Sequence, residues 1–378
     1  MKLIPYEKAV IDKLKIVFHA HDVDRGTAKS ITSVLNDMVE EKKARRLSSQ
    51  GKGYIDRFSI LLNKKDGLLV EINPNRPDNT PWAMTWEYTP SHLRKTDRAK
   101  LLALARQILG ASARELLMGV AVYEIHLAVD FLQDIANVMI ESRNKTSCGA
   151  WGKTFGTAAR LQSQYFGSSK SDHHQIAYDK RAEVLAAYAK RPETKVSQVR
   201  ARRDDLEPRL RVEDRQRLSR CPVPLHKLQD LREPFAGFHI YSLAVAEAFL
   251  KDQVGRLVLA LAQASGLQLA LHQLDKASRE RVRQQLAAAH VDWWDARVYQ
   301  HAVTAALKAT QLFDSQAFTA EGGAGSAVDH WYAGSRERQN QRSTGLNGAT
   351  GRTADNDYLD EVFGADDEED GDGDEGDE

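Results

Sequence analysis

The run from Val122 to Phe131, VYEIHLAVDF, constrains this chain more than any other segment. Its β-branched and apolar character predicts a strand, in which successive side chains alternate between two faces. Tyr123, Ile125, Leu127 and Val129 then share one face, and Glu124, His126, Ala128 and Asp130 share the other. One face suits a core, while the other is ionisable and is costly to bury unless its groups are paired or bind a metal. Neighbours along one face stand ~7 Å apart and a metal bond is ~2.2 Å, so Glu124 and His126 can converge on one ion with help from an adjacent strand. Asp130, ~13 Å from His126, would need a bend to join them. A salt-bridged solvent face accounts for the same alternation and is the simpler reading of this strand taken alone.

Three other segments carry groups capable of chemistry. In RLRVEDRQR, alternation places Arg209, Arg211, Glu213, Arg215 and Arg217 on one face. Four guanidiniums around one carboxylate suit phosphate, because arginine offers paired donors and keeps its charge; a solvated edge strand explains the pattern equally well. In MTWEYTP, Glu87 faces with Thr85, opposite Trp86 and Tyr88. Two strands around the turn at Gly167 hold Tyr165 before it and Tyr178, Asp179 and Lys180 after it, with Lys170 in the turn. A tyrosine attacks phosphorus once its proton is removed or its pKa of ~10 is lowered, which a nearby cation such as Lys180 or a divalent metal assists. Packing is the commoner role of a strand tyrosine, and Tyr178 shares its face with Ile176. His19 and His21 followed by Asp22 read as a strand end, and Trp293 and Trp294 as packing. No GxxxxGK[ST] sequence is present, so no nucleotide-driven motor is expected.

The remaining pattern is irregular. Ile31, Val34, Leu35, Met38 and Val39 predict an amphipathic helix over 28–47. FSILLNKKDGLLVEIN reads as a β-hairpin turning at Gly67, and MTWEY as a further strand. Asp97 is placed to cap a helix reaching Met118, helices are expected over 181–190, 242–264 and 274–290, and Phe235 to Tyr241 reads as a last strand. The basic stretch KRPETKVSQVRARR has little periodicity. This order predicts an α+β fold with a mainly antiparallel central sheet flanked by helices, rather than a doubly wound sheet. The expected organisation is a lead-in over 1–50, a core over 51–240, a helical region over 241–320 and an acidic, disordered tail over 321–378.

Charge supports a polyanionic partner. The 53 basic and 53 acidic residues cancel only in total, since residues 353–378 hold 14 Asp or Glu and no Lys or Arg. Residues 1–352 thus carry 53 basic against 39 acidic groups, a net +14. No apolar run approaches the ~18 residues of a membrane span, and the charged start MKLIPYEKAVIDKLK is unlike a secretory signal. Two cysteines, Cys148 and Cys221, exclude a disulfide scaffold and fit a reducing cytoplasm.

Taken in order, TWEYTPSHL, VYEIHLAVDF, YFGSSKSDHHQIAYDKRAE, RLRVEDRQR and ALHQLDKASRERVRQQL resemble the trans-acting initiator family of rolling-circle replication, over roughly residues 55–290. The block YFGSSKSD followed by YDK-x-x-E is the most specific part. The resemblance implies a metal-assisted nickase whose tyrosine attacks one strand at a DNA origin, keeps the 5′ end as a phosphotyrosine and later rejoins the strand. It implies Tyr178 as the nucleophile beside Lys180, with Tyr165 second, and Mg²⁺ or Mn²⁺ held among Glu87, Glu124, His126, Asp130 and Glu213. Arg209, Arg211, Arg215, Arg217 and Lys170 would contact DNA. A host helicase and polymerase, and a homodimer, are the further partners implied. Two positions depart from the family: Glu124-Ile125-His126 stands where Arg-x-Asp is usual, and Ile176-Ala177 where an arginine often precedes the YDK tyrosine. A relaxase of an integrative conjugative element would share this chemistry, whereas a non-catalytic DNA-binding regulator would keep only the basic sheet. Sequence recognition is expected in the helices over 241–290 and the basic stretch over 190–203, with steep salt dependence.

Overall fold

The strand from Ala121 to Phe131 lies in the interior of a large antiparallel sheet, and its alternation separates an apolar layer from a charged one. The computed structural model describes residues 9–294, 297 and 301, apart from 51–52, 64–65, 146, 156–157, 169–170, 191–194, 232 and 236. The acidic tail and Lys170 therefore lie outside the described residues. All described elements fall in one compact unit spanning 1–49 and 53–321.

The first half contains β1 (Val10–His19), α1 (Arg25–Glu40), β2 (Ala44–Arg46), β3 (Tyr54–Leu61), β4 (Gly67–Pro74), β5 (Trp82–Tyr88), α2 (Lys95–Leu109), α3 (Ala113–Met118) and β6 (Ala121–Phe131). There follow β7 (Val138–Ser142), β8 (Cys148–Phe155), β9 (Ala158–Phe166), β10 (His173–Asp179), α4 (Lys180–Ala189), α5 (Val196–Asp205), β11 (Leu210–Arg217) and β12 (Val223–Pro224). The last group is β13 (Phe238–Ser242), α6 (Leu243–Phe249), α7 (Gln253–Ser265), α8 (Leu267–His272), α9 (Lys276–Leu286) and β14 (His290–Val291). The large sheet runs β2-β3-β4-β5-β1-β6-β11-β10-β9-β8, with β12 also on β6, and a small sheet runs β14-β13-β7. The fold is α+β with an antiparallel sheet, as the element order predicts.

Each layer follows from residue pattern. Asp24 caps α1 by accepting from the Thr27 amide at 2.7 Å, and Ala28, Ile31, Leu35 and Met38 form its buried stripe. That stripe shares one core with Leu14, Ile16 and Phe18 of β1, Phe58 and Ile60 of β3, Val70 and Ile72 of β4, and Trp86 of β5. Trp293 closes the core's far end edge-on to Phe131, with ring centroids 5.5 Å apart, so this tryptophan packs. A second core, formed by Tyr241, Leu250, Val258, Leu267, Leu271, Val282 and Leu286, holds the C-terminal helices together.

Several boundaries differ from the sequence reading. α1 ends at Glu40 because Lys42 adopts a left-handed φ of 60° and the chain turns into β2. Asp97 is not the cap of α2; it lies in the first turn and accepts from the Arg94 amide at 3.1 Å. The single helix expected as far as Met118 is interrupted at Gly110, whose φ of 62° suits glycine. The expected helix over 242–264 is two, because Asp252 begins a new one by accepting from the Gly255 amide at 2.6 Å. The poorly periodic basic stretch contributes α5, with Arg202 and Arg203 exposed in its last turn.

Candidate active site on the polar face of the sheet

Register decides which charged groups meet. β11 pairs with β6 so that Arg211 lies opposite Asp130, Glu213 opposite Ala128, Arg215 opposite His126 and Arg217 opposite Glu124. On the other side β1 places Lys13 opposite His126 and Lys15 opposite Glu124. β10 sets Tyr178 opposite Arg211, Ile176 opposite Glu213 and His174 opposite Arg215, and β9 sets Tyr165 opposite Ile176. Every candidate residue on β5, β6, β9, β10 and β11 thus falls on one face of the sheet.

At its centre His126 spans two carboxylates. Its Nε2 lies 2.6 Å from Glu124 and its Nδ1 3.4 Å from Glu213. Glu213 is buried, which by itself favours the protonated acid, yet the Arg215 guanidinium at 2.8 Å and the His126 hydrogen bond hold its carboxyl well below the usual range. Burial acts on Glu124 in the same sense and is outweighed by the hydrogen bond from His126 and by the Lys13 ammonium. Lys13 Nζ stands 3.4 Å from Glu124 and 3.2 Å from Glu87, bridging the two acids. Further along, Lys15 and Arg57 both pair with the buried Glu71, at 3.0 and 2.8 Å.

Asp130 is held apart from this cluster. It receives two hydrogen bonds from Arg211, at 2.6 and 2.9 Å, and Arg211 also reaches Asp12 at 3.0 Å. Among the described residues, no group of three or more His, Cys, Asp or Glu side chains forms a ready-made metal site, since the acids are turned toward protein cations.

The two tyrosines differ. Tyr178 is half-buried beside the Lys180 ammonium, 5.8 Å from its ring centroid, while Lys180 itself pairs with Glu183. Burial, then the Glu213 and Glu183 charges, raise the Tyr178 phenol well above its ordinary pKa, with Arg211 acting in the opposite sense. Its hydroxyl is therefore protonated at neutral pH, and attack would require removal of that proton in the reaction. Tyr165 stacks on His174 with ring planes 6° apart and centroids 6.1 Å apart. Arg215 has a buried Nε with no hydrogen-bond partner among the described residues. Arg209 precedes β11, and its carbonyl accepts from the Lys180 amide at 2.8 Å. The His19 and His21 rings lie tilted at 40° with centroids 4.3 Å apart, and His19 meets Trp82 edge-on at the end of β1, apart from this cluster.

Lys13, Lys15, Asp12 and Glu71 were not among the sequence candidates. Ile11, Leu14, Ile16 and Phe18 give β1 a legible apolar set, but which strand its lysines face is set by long-range pairing.

His174 gives the face a measurable pH signature. Burial and then the Arg215 cation lower its pKa to about 4, so it is neutral in the folded protein at neutral pH. The unfolded chain, with a histidine pKa of ~6.5, binds more protons between pH 6.5 and 4. Stability therefore rises with pH across that window, by up to about 1.4 kcal/mol per pH unit for one such histidine. His174→Phe, which retains a ring against Tyr165, is expected to flatten the pH dependence of urea midpoints between pH 6.5 and 4; an unchanged slope would show that His174 is not held neutral.

No family model matches the chain. No curated protein matches it. A solved structure described as a rolling circle replication initiator protein from Geobacillus stearothermophilus is similar over 56% of this chain and 74% of its own, with 14% identity and a TM-score of 0.31. Among the described residues, no helix is long and apolar enough to cross a membrane.

Proposed function

We propose that this protein nicks and rejoins one DNA strand, with Tyr178 as the nucleophile, and so initiates rolling-circle replication. The observation that carries the reading is the register that sets Tyr178 on the same face as Glu124, His126, Glu213 and Arg215. Arg215 and Arg217 would hold the scissile phosphate, and Arg211, fixed by Asp130 and Asp12, would orient the tyrosine opposite it. Glu213, paired with Arg215 and hydrogen-bonded to His126, is held too weakly basic to take the Tyr178 proton, which would pass to solvent as the phenol oxygen attacks. Transfer to tyrosine conserves the phosphodiester bond energy, so rejoining needs no nucleotide, in accord with the missing P-loop. Exposed Arg202 and Arg203 on α5 would add sequence-independent contacts to the DNA backbone.

Glu87, Glu124 and Glu213 offer the carboxylate oxygens that a hard divalent ion takes, but they face Lys13, His126 and Arg215 and would have to turn to gather round an ion. Glu87, Glu124, His126 and Glu213 would hold Mg²⁺ or Mn²⁺, which supplies charge neutralisation at the phosphate when bound. Lys13 already places a cation between Glu87 and Glu124 and would compete with that ion. Lys13→Met is therefore expected to tighten Mn²⁺ binding, measured by calorimetry without DNA, about fivefold, the equivalent of one near-surface ion pair. An unchanged affinity would remove the ion from this cleft.

The reading is tested on supercoiled plasmid bearing the cognate origin, with Mg²⁺ or Mn²⁺. Open circles and a covalent protein–DNA adduct are expected. A second reading, a DNA-binding regulator without catalysis, is favoured by one observation: Glu87, Glu124, Asp130 and Glu213 are each matched by a protein cation. DNA binding with no metal-dependent adduct would decide for it.

A further inference from the structure

A cavity of about 190 Å³ opens between the end of β7, the loop after it, and helices α8 and α9. It lies off the polar face: Ser142 in its lining hydrogen-bonds Gln175 at 2.8 Å, and on β10 Gln175 projects opposite to Tyr178. Four cations line it, Arg143, Lys145, Arg279 and Arg283, against a single carboxylate, Glu141.

The lining is built rather than incidental. Gln268 of α8 accepts from the Ser142 amide at 2.8 Å and donates to the Lys145 carbonyl at 2.7 Å, fixing the loop that carries Arg143 and Lys145. Glu141 is 1% exposed and is spanned by Arg283 through Nε at 2.8 Å and Nη2 at 2.5 Å. Arg279 hangs by Nε and Nη2 from the carbonyls of Leu271 and Leu274, each at 3.0 Å. Arg143 donates from Nη2 to the Tyr241 hydroxyl at 3.2 Å. These bonds, with one from Arg143 Nε to Glu141 at 3.4 Å, fix the guanidiniums in place.

We propose that this pocket binds a phosphate group. Glu280 also pairs with Arg283, which leaves a surplus of two positive charges, and that surplus calls for an anion. Fixed guanidinium edges suit tetrahedral oxyanions, and their prior ordering lowers the entropy lost on binding. The phosphate comes either from DNA backbone passing behind the sheet or from a free phosphate-bearing molecule. The pocket does not depend on the nicking reading, because none of its lining residues belongs to the tyrosine face.

The test uses the full chain, inorganic pyrophosphate as the calorimetric probe, and a labelled duplex of arbitrary sequence at low salt. Arg143→Gln and Arg279→Lys, checked for folding by circular dichroism, are expected to weaken pyrophosphate binding at least tenfold, while Tyr178→Phe leaves it unchanged. A parallel loss of duplex affinity, with a salt slope shallower by about one, identifies the ligand as a DNA phosphate. Undiminished duplex affinity alongside lost pyrophosphate binding identifies a free phosphate ligand. Absence of pyrophosphate binding by the wild-type protein, or equal binding by all four proteins, overturns the proposal.

Discussion

Tyr178→Phe is expected to abolish the covalent protein–DNA adduct and to lower nicking at least about a thousandfold, because the bond to phosphorus is lost with the phenol oxygen. Duplex affinity should change less than twofold, since the ring is kept on the face it shares with Ile176 and the arginines of β11 are untouched. Glu213→Gln, which removes one of the carboxylates proposed to hold the metal, should depress nicking while leaving duplex affinity in place. An adduct that survives Tyr178→Phe and disappears in Tyr165→Phe would move the chemistry to the ring stacked on His174.

The second large effect is on stability. Asp130 and Arg211 are both buried and joined by two hydrogen bonds. Asp130→Ala leaves a buried guanidinium with only Asp12 beside it, and a loss of about 3 to 5 kcal/mol is expected in urea unfolding. Asp130→Leu combined with Arg211→Met should recover most of that loss, because an apolar pair of similar volume avoids the desolvation cost of both ions. If the double variant is as unstable as the single one, the pair's value lies in its particular geometry.

The site was partly legible in the sequence because strand alternation is local. VYEIHLAVDF and RLRVEDRQR state their faces in their own residues, and Tyr178, Glu87 and Glu213 follow from the same rule. The helical stripe of α1 was legible for the same reason, whereas the break between α6 and α7 turned on a single cap, Asp252, in an otherwise helical run. What pairs with what was not legible. Asp130 meets Arg211 across 81 residues of chain, and no local pattern distinguishes that partner from a metal. β1 shows an apolar set, but its place in the sheet was not legible: its pairing with β6 shifts register between Ile11 and Lys13 and again between Lys15 and Ile16. Those shifts spoil the period-two signal around Lys13 and Lys15, the two cations that most alter the acidic cluster.

β6 receives its two neighbours from opposite directions along the chain, β1 from residues 10–19 and β11 from residues 210–217. A nascent polypeptide halted before residue 210 lacks half of the charged face, however well its first hairpin has formed. Such sequence-distant pairing is slow to form, so newly made protein should complete the charged face late and all at once. Fragments that stop short of β11 are expected to be inert and to present the unpaired edge of β6 to aggregation.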